Sequence, residues 1–150
     1  MYKKNEQAYE QLNKFIGNWN TKGIIPSSNN QSEIEIIGTD TYEWIVDGFF
    51  LLHKADVLIG NETSKTHEII GYDHLNNLYT MQHYNNRGDS GFMTATVNGN
   101  IWTFTGDSLR FKGGFKENED VFSGVWEQFT DNKTYTHLMD IKLSKKPFGY

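Results

Sequence analysis

LNKFIGNWNTKG, residues 12–23, changes its period midway. Before Gly17 the apolar residues Ala8, Leu12, Phe15 and Ile16 fall at helical spacings, whereas from Trp19 onward apolar and polar residues alternate. The pattern predicts a short helix over about residues 5–16, with Asn5 as N-cap and Gly17 in the left-handed conformation that closes a helix. Trp19 then becomes the first inward residue of the first strand, buried beneath the helix. Gly17 and Trp19 are expected to be structural.

Beyond this junction the chain reads as runs of about 6 to 11 residues separated by Gly, Asn and Asp. The runs are WNTKGII, SEIEIIGTDTYEWI, GFFLLHKADVLI, KTHEIIGYD, LYTMQHYN, GFMTATV, NIWTFTG, SLRFKGGF, VFSGVWEQFT and KTYTHLMDIKLS, about ten strands in all. No internal stretch has the periodicity of a crossover helix, so neighbouring strands should be antiparallel. Ten sequential strands leave exposed edges unless the sheet closes. The expected fold is therefore all-β, an up-and-down antiparallel barrel over about residues 19–144 in a single domain spanning residues 1–150, with a two-sheet sandwich as the lesser possibility. IPSSNNQS, residues 25–32, should lie at a barrel mouth as a flap.

Turn chemistry assigns faces. A two-residue loop at Asn98-Gly99 pairs Ala95 with Trp102 and Met93 with Phe104 on one side and leaves Thr94, Thr96, Thr103 and Thr105 on the other. The loop HLNN sets Glu68 opposite His83, Ile70 opposite Met81 and Tyr72 opposite Tyr79. A two-residue loop at Asp131-Asn132 sets Trp126 against His137, Gly124 against Met139 and Gln128 against Tyr135, all inward. The predicted pocket lining is Met81, His83, Met93, Trp102, Phe104, Trp126, Tyr135, His137 and Met139. Gly113-Gly114 should mark a bulge or bend.

Composition narrows the function classes. A formal net charge of -5, with KLSKK as the only dense basic run, argues against a nucleic-acid groove. With no cysteine, disulfides, thiolate metal sites and cysteine nucleophiles are excluded. The opening MYKKNEQAYEQLNKF lacks the apolar run of a signal peptide and no segment reads as a membrane span, so the expected location is cytoplasmic, with no membrane partner. Five histidines show no His-x-His or His-x-x-x-His spacing, and no metal site is expected. No serine sits in a nucleophile elbow. RGD at residues 87–89 reads as turn composition, and NQS, NET and NKT are glycosylation acceptors in form only.

A short helix followed by Gly17-x-Trp19 at the first strand of an antiparallel barrel resembles the lipocalin-like (calycin) superfamily. EWIVDGFFLLHKAD, HEIIGYDHLNNLYTMQHYNNRG, WEQF and MDIKLSKK are similar to blocks of a bacterial lipocalin-like family of unknown function, across nearly the whole chain. The resemblance implies a barrel and no established activity. THLMDIKLSKK also resembles, more weakly, the last strand of the nitrobindin-like haem barrels, which implies His137 as a candidate axial ligand.

The preferred functional reading is a binding module whose interior cavity takes a small, largely apolar molecule, with no cofactor. Three alternatives stay open: a core filled by its own aromatics, a haem barrel using His137, and an enzyme moving a proton with Glu68 and His83. No residue set identifies catalytic residues. Ligand identity and oligomeric state are not written in the sequence.

Overall fold

The computed structural model describes residues 4–130 and 133–147. Helix α1, Glu6–Asn13, precedes ten strands: β1 Gly17–Ile25, β2 Ile34–Ile45, β3 Phe50–Ile59, β4 Glu62–Asp73, β5 Leu78–Asn85, β6 Ser90–Asn98, β7 Ile101–Thr105, β8 Leu109–Lys116, β9 Val121–Phe129 and β10 Tyr135–Lys145. Each strand pairs antiparallel with its sequence neighbours, and β1 pairs with β10, so the sheet closes into a barrel without edges. Among the described residues, no helix is long and apolar enough to cross a membrane.

Asn5 caps the helix as expected, its Oδ1 accepting from the Ala8 backbone N–H at 3.1 Å. The helix ends earlier than predicted, with Lys14 as its C-cap. Gly17 has φ +134°, reserved in practice for glycine, but uses it to open β1 rather than to close the helix. Leu12 and Phe15 plug one end of the barrel, where Phe15 packs edge-on against Trp102, Phe115 and Phe122 at centroid separations of 5.2, 4.8 and 5.0 Å. Trp19 is fully buried below this plug and its Nε1 donates to the Phe15 carbonyl at 2.8 Å, tying the strand to the helix turn.

The other end is the mouth, formed by the connections between β1 and β2, β3 and β4, β5 and β6, β7 and β8, and β9 and β10. The segment between β1 and β2, which contains PSSNNQS of the expected flap, lies here with a Ser28–Gln31 bridge.

Register separates the expectations. Across β4 and β5, Glu68 faces His83, Ile70 faces Met81 and Tyr72 faces Tyr79, as the loop HLNN implies. Across β6 and β7, Ala95 pairs with Phe104 and Val97 with Trp102. The turn has moved on by one residue to Gly99-Asn100, with positive φ at Gly99, the pattern of a II′ hairpin. Partners shift by two, so Met93, Ala95, Trp102 and Phe104 keep their inward face.

The β9–β10 hairpin requires a correction. Its proposed two-residue loop, Asp131-Asn132, lies outside the described residues. The flanking pairs are Tyr135 with Phe129 and His137 with Glu127, one residue away from the expected register. A shift of one reverses every side chain, so Tyr135 and His137 face outward. Between His137 and Met139 a bulge inserts Leu138 and restores the inward parity, so Met139 pairs with Trp126. At Gly113-Gly114 the expected bulge is absent, since register runs continuously from Leu109 to Lys116. Instead, Gly113 and Gly124 oppose each other beneath the Phe111 ring, where an added Cβ would lie 2.6 Å from that ring.

Candidate functional site

Above the plug the barrel walls separate around a cavity of about 410 Å³. Its wall is mostly aromatic, aliphatic and thioether: Ile36, Ile70, Met81, Met93, Trp102, Phe104, Phe111, Trp126 and Met139 all contribute. The alternation of the strands produces this wall, because each inward residue is separated from the next by one facing solvent. A wider depression of about 620 Å³ lies on the outer wall over β1, β2, β9 and β10, lined by solvated charges such as Lys22, Glu35 and Lys142. It contains no buried polar network, and the interior is the candidate site.

Four adjacent strands set a linked polar residue into the apolar wall, Thr21 on β1, Asp40 on β2, His53 on β3 and Glu68 on β4, with Ser64 and Thr66 further along β4. Register aligns them. Trp19 pairs with Asp40, Tyr42 with His53, and His53 with Glu68, so the four side chains run diagonally across the sheet. Thr21 Oγ1 donates to Asp40 Oδ2. His53 Nε2 bonds Asp40 Oδ1 at 2.6 Å and His53 Nδ1 bonds Glu68 Oε1 at 2.9 Å. Thr21, Asp40 and Glu68 are the buried polar side chains of the described residues, at 3%, 7% and 7% exposure. These four side chains form one connected chain of hydrogen bonds.

Burial pulls the His53 pKa down, but hydrogen bonds and charge from Asp40 and Glu68 outweigh it and raise the pKa to about 9. At neutral pH His53 is an imidazolium donating from both nitrogens. The Tyr42 ring stacks on it at 4.1 Å with planes 5° apart. Burial, with the Asp40 and Glu68 charges, pushes the Tyr42 hydroxyl well above its ordinary pKa, so it stays neutral.

This arrangement limits the chemistry. With both ring nitrogens engaged, His53 has no lone pair to act as a general base. Both Asp40 oxygens are also engaged, by Thr21 and His53. Glu68 has only Oε1 occupied, and Oε2 takes no hydrogen bond from the described residues. His83 sits on the same wall toward the mouth, its ring filling the space over Gly91, where a Cβ would come within 2.6 Å.

Of the nine residues expected at the pocket, Met81, His83, Met93, Trp102, Phe104, Trp126 and Met139 line the cavity. Tyr135 and His137 do not. Tyr135 lies outside, its ring under the Arg110 guanidinium at 3.8 Å. His137 is exposed, its Nε2 3.3 Å from Asp140 Oδ1. A histidine on the outer wall does not fit the axial position of a haem held within the barrel. Glu68 and His83 are cross-strand neighbours, yet the hydrogen-bond partner of Glu68 is His53 on the other side. Among the described residues, no cluster of three His, Asp or Glu is arranged to hold a metal ion.

Sequence reasoning missed Thr21, Asp40 and His53. A signal was present: Asp40 and His53 interrupt the apolar parity of Ile36 and Tyr42 and of Leu51, Ala55 and Val57. A charged residue on the inward parity of adjacent strands is the pattern to seek.

A family model described as Protein of unknown function (DUF1579) matches residues 4–139. No curated protein matches the chain. Among solved structures, the crystal structure of Rv2717c from M. tuberculosis superposes with a TM-score of 0.66 at 10% identity, over 93% of this chain and 98% of that one. At such identity the likeness shows the fold alone.

Proposed function

The chain belongs to the DUF1579 family, and we propose that within this barrel fold it is a lipocalin-like binding protein for a small, largely apolar molecule. One observation carries the reading: a cavity of about 410 Å³, within the size range of small-molecule sites, that the protein's own aromatics leave unfilled. The wall supplies apolar contact, and the polar side chains on one side fix orientation. Burial of apolar ligand surface drives binding, at about 25 cal/mol per Å² before the costs of association.

The test is saturable binding of a neutral environment-sensitive dye to native protein, read through Trp102 and Trp126 emission, with mass spectrometry of an organic extract. One equivalent is expected. Ala55, half-buried on the cavity wall, offers a control: Ala55→Phe occupies ligand space and should weaken binding at least about tenfold while the protein still unfolds cooperatively. Absence of saturable binding to neutral, anionic and cationic apolar probes alike would overturn the proposal.

A second reading, proton transfer on a bound substrate, draws support from Glu68 Oε2, a carboxylate oxygen without a hydrogen-bond partner among the described residues beside an apolar cavity. Screening apolar ketones for proton exchange at the α-carbon in deuterated water tests it. Exchange that persists in Glu68→Gln would exclude Glu68 as the base.

A further inference from the structure

Resting on the carrier reading, we propose that the cavity selects apolar molecules bearing a protonated amine and discriminates against apolar carboxylates. The titratable groups on its wall are Asp40, His53, Glu68 and His83, together with Tyr42 and Tyr79, whose raised pKa keeps them uncharged, and no Lys or Arg lines it among the described residues. Two carboxylates face one imidazolium, which leaves one negative charge in surplus. If His53 were neutral the surplus would be two, so the sign does not depend on its protonation. His53 directs both N–H groups at Asp40 and Glu68 and offers none to a ligand.

The hydrogen-bonding capacity left over on the charged side chains has the same sign, while the Ser64 and Thr66 hydroxyls can serve either sign. Glu68 Oε2 is an acceptor without a partner among the described residues, and a neutral imidazole at His83 would add another. Trp102, Phe104 and Trp126 line the space, and the negative potential above aromatic ring faces attracts cations. A carboxylate would meet none of the cationic donors it needs on leaving water, and would face two like charges. An alkylammonium instead meets a carboxylate oxygen at a low-dielectric wall, where one charge–charge contact outweighs its aqueous counterpart.

Matched naphthalene derivatives separate the two readings. Displacement of the neutral dye by 2-(1-naphthyl)ethylamine, 2-(1-naphthyl)ethanol and 1-naphthylacetate is measured at pH 8, where the amine keeps its proton. The expected order is amine, alcohol, carboxylate, with the amine at least about tenfold tighter than the carboxylate. Glu68→Gln should weaken the amine by about tenfold and leave the alcohol within about twofold. If that variant does not fold, the wild-type order still decides. Carboxylate binding equal to or tighter than amine binding overturns this inference and leaves the carrier intact. Binding of the dye and the alcohol with no preference between the charged forms also overturns it. Failure of the dye and all three probes to bind overturns the carrier reading and this one together.

Discussion

At the helix end of the barrel, Phe15 meets Phe115 at 4.8 Å and Tyr42 at 5.2 Å, Trp19 is wholly buried, and the Tyr79 hydroxyl reaches the Ala8 carbonyl at 2.9 Å. Toward the mouth β3 and β4 carry Ala55, Val57, Ser64 and Thr66 inward, and the walls enclose open volume. Large residues inward close one half; small and polar residues inward keep the other open. The asymmetry assigns stability to the plug and selectivity to the mouth, because close-packed aromatics carry the burial energy while the loosely filled half carries the charges. Substitutions in the two halves should therefore separate unfolding from binding.

The largest effect belongs to the plug. Trp19→Ala removes a fully buried indole and the hydrogen bond tying β1 to the helix turn, and should cost about 3–5 kcal/mol in denaturant unfolding. Dye affinity per folded molecule should be unchanged. A loss below about 1 kcal/mol would mean that the helix end is not where stability resides.

The polar chain toward the mouth should show itself through pH. His53 has its pKa raised to about 9 in the folded protein, against about 6.5 unfolded, so the folded state binds the proton more tightly. Its contribution is fully present below pH ~6.5 and is lost as pH rises through ~9, a fall of up to about 3 kcal/mol by linkage. Tyr9, Tyr42 and Tyr79 are shifted in the same direction, but from an ordinary value near 10, so a window below pH ~9.5 isolates His53. Urea unfolding across that window should slope downward in wild type and flatten in His53→Gln. A wild-type protein with no slope would dissolve the distinction between a charged mouth half and an apolar plug.

A smaller effect sharpens the same contrast. Asn5→Ala removes the cap at Ala8 N–H and should cost about 1 kcal/mol of unfolding free energy, with dye binding unaltered. Weakened binding would show that the helix reaches the cavity energetically as well as sterically.

The two hairpins at β4–β5 and β9–β10 show what was legible in the sequence. Strand number, antiparallel order and closure follow from alternation and turn residues, which are local. In HLNN the turn sits where its composition implies: Asp73 accepts from the Leu75 and Asn76 backbones at 3.0 and 3.1 Å, and the register comes out as read. At β9–β10 the connection instead has Thr130 N–H bonded to the Thr134 carbonyl at 3.0 Å, a wider loop than Asp-Asn suggests. The bulge at Leu138 then reverses the error, a device no residue type announces. Seven wall residues could be read because they lie on strands where parity held or was restored. The Asp40–His53–Glu68 chain escaped notice because its residues are far apart in sequence and become neighbours only through the register of three strands.

The smallest effect expected is at His137, the residue the inward reading of β10 made most important. Its side chain is 47% exposed and its partner Asp140 is 56% exposed, so the contact between them is solvated. Exposed pairs of this kind contribute about 0–1 kcal/mol and weaken in salt. His137→Ala should therefore change unfolding free energy by less than about 0.5 kcal/mol, with the difference vanishing in high salt, and should leave dye and amine affinities unchanged. An inward imidazole beside Trp126 would behave otherwise, because removing a buried polar contact costs about 1–3 kcal/mol and alters the cavity wall. Chemical modification adds a second readout. Diethyl pyrocarbonate, followed by peptide mapping, should label exposed His137 far faster than His53, whose nitrogens are both engaged with carboxylates. Slow labelling of His137 together with a binding defect in His137→Ala would return it to the interior, and the register of the last hairpin would have to be read without the bulge.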